Sequence, residues 1–153
     1  MCGIVGYIGA KNAISLVLSG LQRLEYRGYD SSGMSYISKN KLNIKKKAGK
    51  VNNLQAILKK DLFANIAIGH TRWATHGTPS DSNAHPHLSM DDSLAIIHNG
   101  IIENYSTIKE GLKKRGYKFK SETDTEVLIN LIDDVKKNEN TNLVKAIQLA
   151  LSQ

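Results

Sequence analysis

The spacing of apolar positions changes several times along the chain, and each change predicts an element. Residues 3–9 read as a strand, because Ile4, Val5, Tyr7 and Ile8 are β-formers and the glycines at 3, 6 and 9 allow close backbone approach. Ile14, Val17, Leu18, Leu21 and Leu24 fall at helical spacing and predict an amphipathic helix over 12–24. Strands follow over 33–38 and 41–47, joined by a turn at Lys39-Asn40. Residues 51–58 read as a short helix and 65–72 as a buried strand. Residues 74–92 carry Gly77, Pro79 and Pro86 among polar positions and read as a long loop, a feature that compact domains often use functionally. A further buried strand is predicted over 93–98, then helices over 104–115, 124–137 and 141–151. The second of these shows a stripe of Val127, Leu128, Leu131, Ile132 and Val135, with Thr123 or Asp124 as its N-cap and Glu126 close behind. Strand pairs mixed with helices make the fold class α+β.

Length and composition set outer bounds. A chain of 153 residues is expected to form one domain, residues 1–153, with a core that needs no staples. The single cysteine excludes an intramolecular disulfide framework and points to a reducing compartment. No apolar run approaches a membrane span, and no basic region precedes the apolar start of a signal peptide, so a cytoplasmic protein without a membrane partner is expected. The net charge of +7 invites a nucleic-acid reading. Its distribution weakens that reading: residues 39–60 hold eight lysines and no acid, which leaves the rest of the chain at −1. Only Arg23, Arg27, Arg72 and Arg115 are arginines, and bidentate base contacts favour arginine. A solvated lysine-rich hairpin is the simpler account, with a basic binding module as the rival.

Five places carry candidate chemistry. Cys2 is either a buried apolar cysteine at a strand start or a nucleophile. Its position matters, because removal of Met1 would leave Cys2 with an α-amine of pKa near ~8 that can serve as base for its own thiol. The run Gly69-His70-Thr71-Arg72-Trp73-Ala74-Thr75-His76-Gly77 brings Arg72, suited to clamping a carboxylate, to a strand end. Trp73 can cover a ligand there, and Thr75 and His76 offer polar contacts. His98-Asn99-Gly100 is either an Asn-Gly turn or an oxyanion hole made of the Asn99 amide and the Gly100 N–H. Asp124 at a helix start is either an N-cap or a partner for a substrate ammonium. His85-Pro86-His87, alone or with others among His70, His76 and His98, could bind a metal. No carboxylate stands at a helical metal-site spacing and Pro86 marks an irregular loop, so no metal is expected. No phosphate-loop or dinucleotide fingerprint occurs, so no cofactor is expected.

Six ordered motifs carry a resemblance: residues 1–9 (Met-Cys-Gly-Ile-Val-Gly-Tyr-Ile-Gly), 24–33, 69–77, 83–87, 98–105 and 121–127. Together they resemble the N-terminal glutaminase domain of the glutamine–fructose-6-phosphate aminotransferase family, within the N-terminal-nucleophile glutamine amidotransferases. The resemblance implies a four-layer αββα sandwich with mostly antiparallel sheets. It implies L-glutamine as substrate, Cys2 as nucleophile with its own amine as base, and Asn99 and Gly100 as the oxyanion hole. Arg72 would hold the α-carboxylate and Asp124 the α-ammonium, while Trp73, Thr75 and His76 would close over glutamine. Arg27 and Gly28-Tyr29-Asp30 would support the N-terminus. The resemblance also implies partners. The family continues into two sugar-isomerase domains that bind fructose 6-phosphate, in proteins that are homo-oligomeric. The chain stops at Ser152-Gln153, so those domains are expected to be absent and the sandwich incomplete at its C-terminal end. The expected activity is release of ammonia through a γ-glutamyl thioester, with an inactive fragment as the alternative.

Overall fold

The structure is a computed structural model that describes residues 2–73 and 78–153. The chain divides into two compact units, one of Met1–Pro86 with Ile97–Asn99 and one of His87–Ile96 with Gly100–Gln153.

In the first unit a four-stranded sheet is built from β1 (Gly3–Ile8), β2 (Ser31–Ser38), β3 (Lys41–Ala48) and β4 (Ile66–Arg72), in the order β1-β4-β2-β3. Every pairing is antiparallel. The β2–β3 hairpin turns at Lys39-Asn40, as the sequence predicts. Both residues take positive φ (52° and 58°), the conformation of a two-residue turn whose twist matches its strands. Helix α1 (Ala13–Leu24) starts where the Asn12 side chain accepts from Ile14 N, satisfying an otherwise unpaired donor of the first turn. Side chains alternate across the sheet, so Val5, Tyr7, Met34, Tyr36 and Ala67 share one face. Against that face pack Ala13, Ile14, Val17 and Leu21 of α1 and Val51 and Leu54 of α2 (Val51–Ile57). Burying a side chain of this size contributes about 1.5–3 kcal/mol over leaving it in water. The opposite face carries His70 and Arg72 at one end, with Ile4 beside His70, and the 77 % exposed Ile8 at the other end.

The second unit holds the short pair β5 (His87–Leu88) and β6 (Ala95–Ile96), then α3 (Tyr105–Lys114), α4 (Asp124–Asn138) and α5 (Leu143–Leu151). The predicted stripe of α4 is its core: Val127, Leu128, Leu131, Ile132 and Val135 pack with Leu112, Tyr117, Ala146 and Ala150. Of the two N-cap candidates it is Thr123 that caps, accepting from Glu126 N. The Glu126 carboxylate accepts from the backbone N–H groups of Lys120 and Ser121 at 2.8 and 2.7 Å, which anchors the incoming loop.

The α+β expectation holds, and three boundaries move. Strand β2 begins at Ser31 because Ser31 and Ser32 pair with Arg72 and Thr71 on one side and with Ala48 and Lys47 on the other. The strand expected over 93–98 is only Ala95–Ile96. A turn closed by Ser89 Oγ accepting from Leu94 N precedes it, and residues 97–99 belong to the other unit. The loop expected over 74–92 contains β5. The lysine-rich hairpin has internal work: Lys47 pairs with Asp81 at 2.8 Å and Lys46 donates to Ser82 O at 3.0 Å. Asp81 also accepts from Ala48 N at 2.7 Å, so the hairpin clasps the segment that leads to His85. No described helix is long and apolar enough to cross a membrane.

Leu21 is fully buried between α1 and the sheet, whereas Ile8 faces solvent. Leu21→Ala is expected to lower the unfolding free energy by about 2–5 kcal/mol, and Ile8→Ala by under about 0.5 kcal/mol. Urea denaturation followed by circular dichroism checks the contrast.

Candidate active site

Strand β4 ends at Arg72, and the register of β1 against it (Gly3 opposite Thr71) brings the start of the chain alongside. Gly3 N donates to Thr71 Oγ1 at 3.1 Å, which fixes that end of the pairing. Cys2 is half-buried, with its sulfur against the backbone of Trp73: Trp73 N donates to Sγ at 3.3 Å, and Sγ lies 3.7 Å from Trp73 O.

Arg72 is 5 % exposed, and its Nη1 lies 3.8 Å from Asp30 Oδ1. Asp30 is held in turn, because its N–H donates to Arg72 O and its carboxylate accepts from Ser31 Oγ at 2.7 Å. A buried guanidinium with one carboxylate beside it is suited to bind an anionic ligand group. Trp73 is 54 % exposed and packs on Gly28, which has φ of 121°. A Cβ at Gly28 would lie 2.1 Å from the indole Cε3, so only glycine fits under the ring. This gives the support expected of Gly28-Tyr29-Asp30 a physical content, since Gly28 seats Trp73 and Asp30 pairs with Arg72.

Asn99 belongs to the same unit. Its Oδ1 lies 2.7 Å from His70 Nε2, and its Nδ2 reaches the Cys2 carbonyl at a long 3.5 Å. His70 is buried, and its ring stacks on that of His85 with centroids 4.4 Å apart and planes 27° from parallel. Burial pushes the His70 pKa down to about 4. The bond to Asn99 opposes that shift, and nearby Arg72 adds to it. His70 is therefore neutral at physiological pH. An amide oxygen can only accept, so Nε2 carries the proton.

In the second unit, Asp124 is the first residue of α4 and does not cap it. Its Oδ2 accepts from Ile102 N at 2.8 Å, pinning the stretch that follows Gly100. Gly100 lies at a bend after the last short strand. Of the histidines weighed for metal, His87 bonds Thr123 Oγ1 at 2.9 Å and His85 stacks on His70. Among the described residues no three potential ligands converge. Thr75 and His76 lie outside the described residues. The structure thus brings Cys2, Arg72, Trp73 and Asn99 together in the first unit, and it adds two residues that sequence reasoning passed over. His70 had entered only as a metal candidate, and Asp30 only as general support. The alternation of β4 held the missing signal, because His70 stands two residues before Arg72 and so shares its face.

A half-buried thiol under a backbone N–H, an amide beside it and a buried arginine are the parts of a cysteine acyl-transfer site. Residues 52–145, more than half of the chain, match the family model described as a glutamine amidotransferase domain, and the chain belongs to that family. Over 155 aligned residues it is 54 % identical to the glutamine–fructose-6-phosphate aminotransferase [isomerizing] of Bacteroides thetaiotaomicron, covering all of this chain and 25 % of that protein. The protein of the same description from Aquifex aeolicus is 55 % identical over 148 residues, covering 96 % of this chain and 24 % of its own length. The chain thus spans about a quarter of the length of these curated relatives. Among solved structures, the glutamine phosphoribosylpyrophosphate amidotransferase of B. subtilis, complexed with ADP and GMP, matches with a TM-score of 0.82 at 29 % identity. That match covers 99 % of this chain and 32 % of the other, and it bears out the N-terminal-nucleophile fold that the motifs imply.

Two outcomes follow from this geometry. Gly28→Ala is expected to displace the indole and cost about 1–3 kcal/mol of stability, read as a lower Tm together with a shifted Trp73 fluorescence maximum. Trp73 is the sole tryptophan, so the emission reports this site alone. The second outcome concerns acid. Below about pH 6.5 the unfolded chain protonates position 70 while the folded chain, with His70 facing Asn99, Arg72, Asp30, His85 and His98, resists until about pH 4. Stability attributable to His70 is therefore full above about pH 6.5 and is lost down to about pH 4, by on the order of 3 kcal/mol. Urea titrations of the native chain and of His70→Gln at pH 7 and pH 4.5 should show the steeper acid loss in the native chain.

Proposed function

We propose that this chain is a glutaminase domain in which Cys2 hydrolyses the side-chain amide of L-glutamine. The observation that supports this most is the seat of Cys2 Sγ, 3.3 Å from Trp73 N, with the Asn99 amide on the same residue's carbonyl. Once Met1 is removed, the α-amine takes the thiol proton, directly or through a water. Sulfur attacks the amide carbon of glutamine, and the negative charge that develops on the amide oxygen is met by Asn99 Nδ2, with the Gly100 N–H added on the motif resemblance alone. Collapse of the tetrahedral intermediate passes the proton to nitrogen, expels ammonia and leaves a γ-glutamyl thioester. Water, deprotonated by the same amine, then attacks the thioester, releasing glutamate and restoring the thiol.

Recognition of glutamine is assigned to charge. Arg72 takes the α-carboxylate, supported by its burial beside Asp30. Trp73 supplies a half-exposed apolar wall. Asp124, Thr75 and His76 enter on the motif resemblance alone, Asp124 as partner of the α-ammonium and the other two as loop contacts. The relatives are named for transfer to fructose 6-phosphate and are about four times as long as this chain. The ammonia is accordingly assigned to an acceptor held by the remaining part of such a protein, with fructose 6-phosphate as the acceptor.

Glutamate release from glutamine by the Met1-processed chain measures this directly. Cys2→Ala should lower it by more than about 1,000-fold while leaving the cooperative urea transition in place. Undiminished release by Cys2→Ala would overturn the assignment of the nucleophile.

A further inference from the structure

We infer that His70 is a positioning residue for glutamine hydrolysis: its Nε2–H holds the Oδ1 of Asn99 and so leaves one Asn99 N–H aimed at the oxyanion. The inference rests on the proposed glutaminase chemistry and adds a residue to it.

The direction of the amide decides whether an oxyanion hole exists at all. An asparagine side chain has one end that donates and one that accepts, and the two look alike in shape. Turned one way, Asn99 offers donors to a developing oxyanion. Turned the other way, it offers an acceptor and repels that charge. Two neighbours decide between them. The Cys2 carbonyl, 3.5 Å from Nδ2, accepts only, so it favours the nitrogen end. His70 Nε2, 2.7 Å from Oδ1, completes the choice when it carries the proton. The reversed amide would set its oxygen against the Cys2 carbonyl oxygen, acceptor to acceptor. In the observed orientation one Nδ2 hydrogen lies toward Cys2 O, and the other is left for a ligand.

The imidazole is itself fixed. His70 sits within β4, paired with Ile4 on one side and Gly33 on the other, and is 1 % exposed. The His85 ring covers it at 4.4 Å. The His85 backbone is pressed onto the sheet, and a Cβ at Gly33 would meet His85 O at 2.1 Å, so strand β2 needs glycine there to let this cover approach. Nδ1 of His70 has no hydrogen-bond partner among the described residues, so the ring's one strong polar contact is the one to Asn99. Burial also keeps the ring neutral, which preserves a single donor on the Asn99 side.

The test compares two side chains of equal length at one position. His70→Gln keeps an N–H donor near Nε2, and His70→Met fills similar space without one. Three quantities are read on the Met1-processed chain and both variants. They are kcat and KM for glutamine hydrolysis, and the rate of Cys2 alkylation by iodoacetamide, a displacement that develops no oxyanion. We expect His70→Met to lower kcat by about 10- to 100-fold with KM within about 3-fold, since the loss falls on the transition state. His70→Gln should recover most of kcat, and alkylation should stay within about 2-fold of the native rate in both. Equal kcat in the Met and Gln variants, or a parallel fall in alkylation, would overturn the positioning role while leaving Cys2 as nucleophile. Failure of the native chain to hydrolyse glutamine would instead sink the reading beneath it. If His70→Met does not fold, the imidazole ¹⁵N shifts of the native chain decide the matter. At pH 7 they should show protonated Nε2 and bare Nδ1, and the opposite tautomer would overturn the inference.

Discussion

The antiparallel register between β1 and β4 is the constraint on which the rest of the site depends. Six residue pairs, from Gly3 opposite Thr71 to Ile8 opposite Ile66, hold the first strand to the middle of the sheet. A slip of one residue would turn every side chain of β1 to the other face. It would also carry the residue at position 2 away from Trp73 N and the Asn99 amide. The Thr71 hydroxyl that accepts from Gly3 N locks the pairing at the end where the chemistry is proposed. The core on the far face works to the same end. Val5 and Tyr7 cannot leave the packing of α1 without exposing apolar surface, so hydrophobic burial on one face sets polar geometry on the other.

That polar face is arranged as a set of dependent contacts. Arg72 would be a costly buried charge without Asp30, and Asp30 is itself tied to Ser31 and to the Arg72 backbone. Asn99 would be an undirected amide without His70, and His70 is held under His85. The His85 segment follows the 78–84 stretch, which the lysine-rich hairpin clasps through Asp81 and Ser82. The basic segment that first suggested an external polyanion thus has a structural use close to the site. Two glycines mark where backbone or ring must come closer than any side chain allows: Gly28 beneath Trp73 and Gly33 beneath the His85 carbonyl. In each case the local freedom of glycine is exchanged for a fixed neighbour that a ligand site needs.

Most of the fold was legible because its signals are periodic. The α1 positions, the α4 stripe and the Lys39-Asn40 turn reappear as predicted, since each reflects burial or backbone sterics within a few residues. Where prediction slipped, the deciding partner was distant in sequence. Ser31 and Ser32 look like loop residues until β4 is seen beside them. The strand predicted over 93–98 shortens because residues 97–99 leave the ladder and belong to the first unit. Thr123 and Asp124 both read as caps of α4; Thr123 takes that role, and Asp124 instead reaches back 22 residues to Ile102 N. The candidate site was legible as a set of residue types because its motifs are dense. Their mutual dependence was not, because a contact such as that between His70 and Asn99 spans 29 residues and leaves no local pattern.

The proposed chemistry has the thiol of Cys2, freed at its own amino group, take the glutamyl group from glutamine. Acid quenching during turnover, followed by mass mapping of the N-terminal peptide, tests it most directly, because acid preserves a thioester that neutral water would cleave. A peptide that begins at Cys2 and carries one added glutamyl group on sulfur is expected, present only when glutamine is supplied. Steady turnover with an unmodified Cys2, or with Met1 still attached in the active protein, would contradict it.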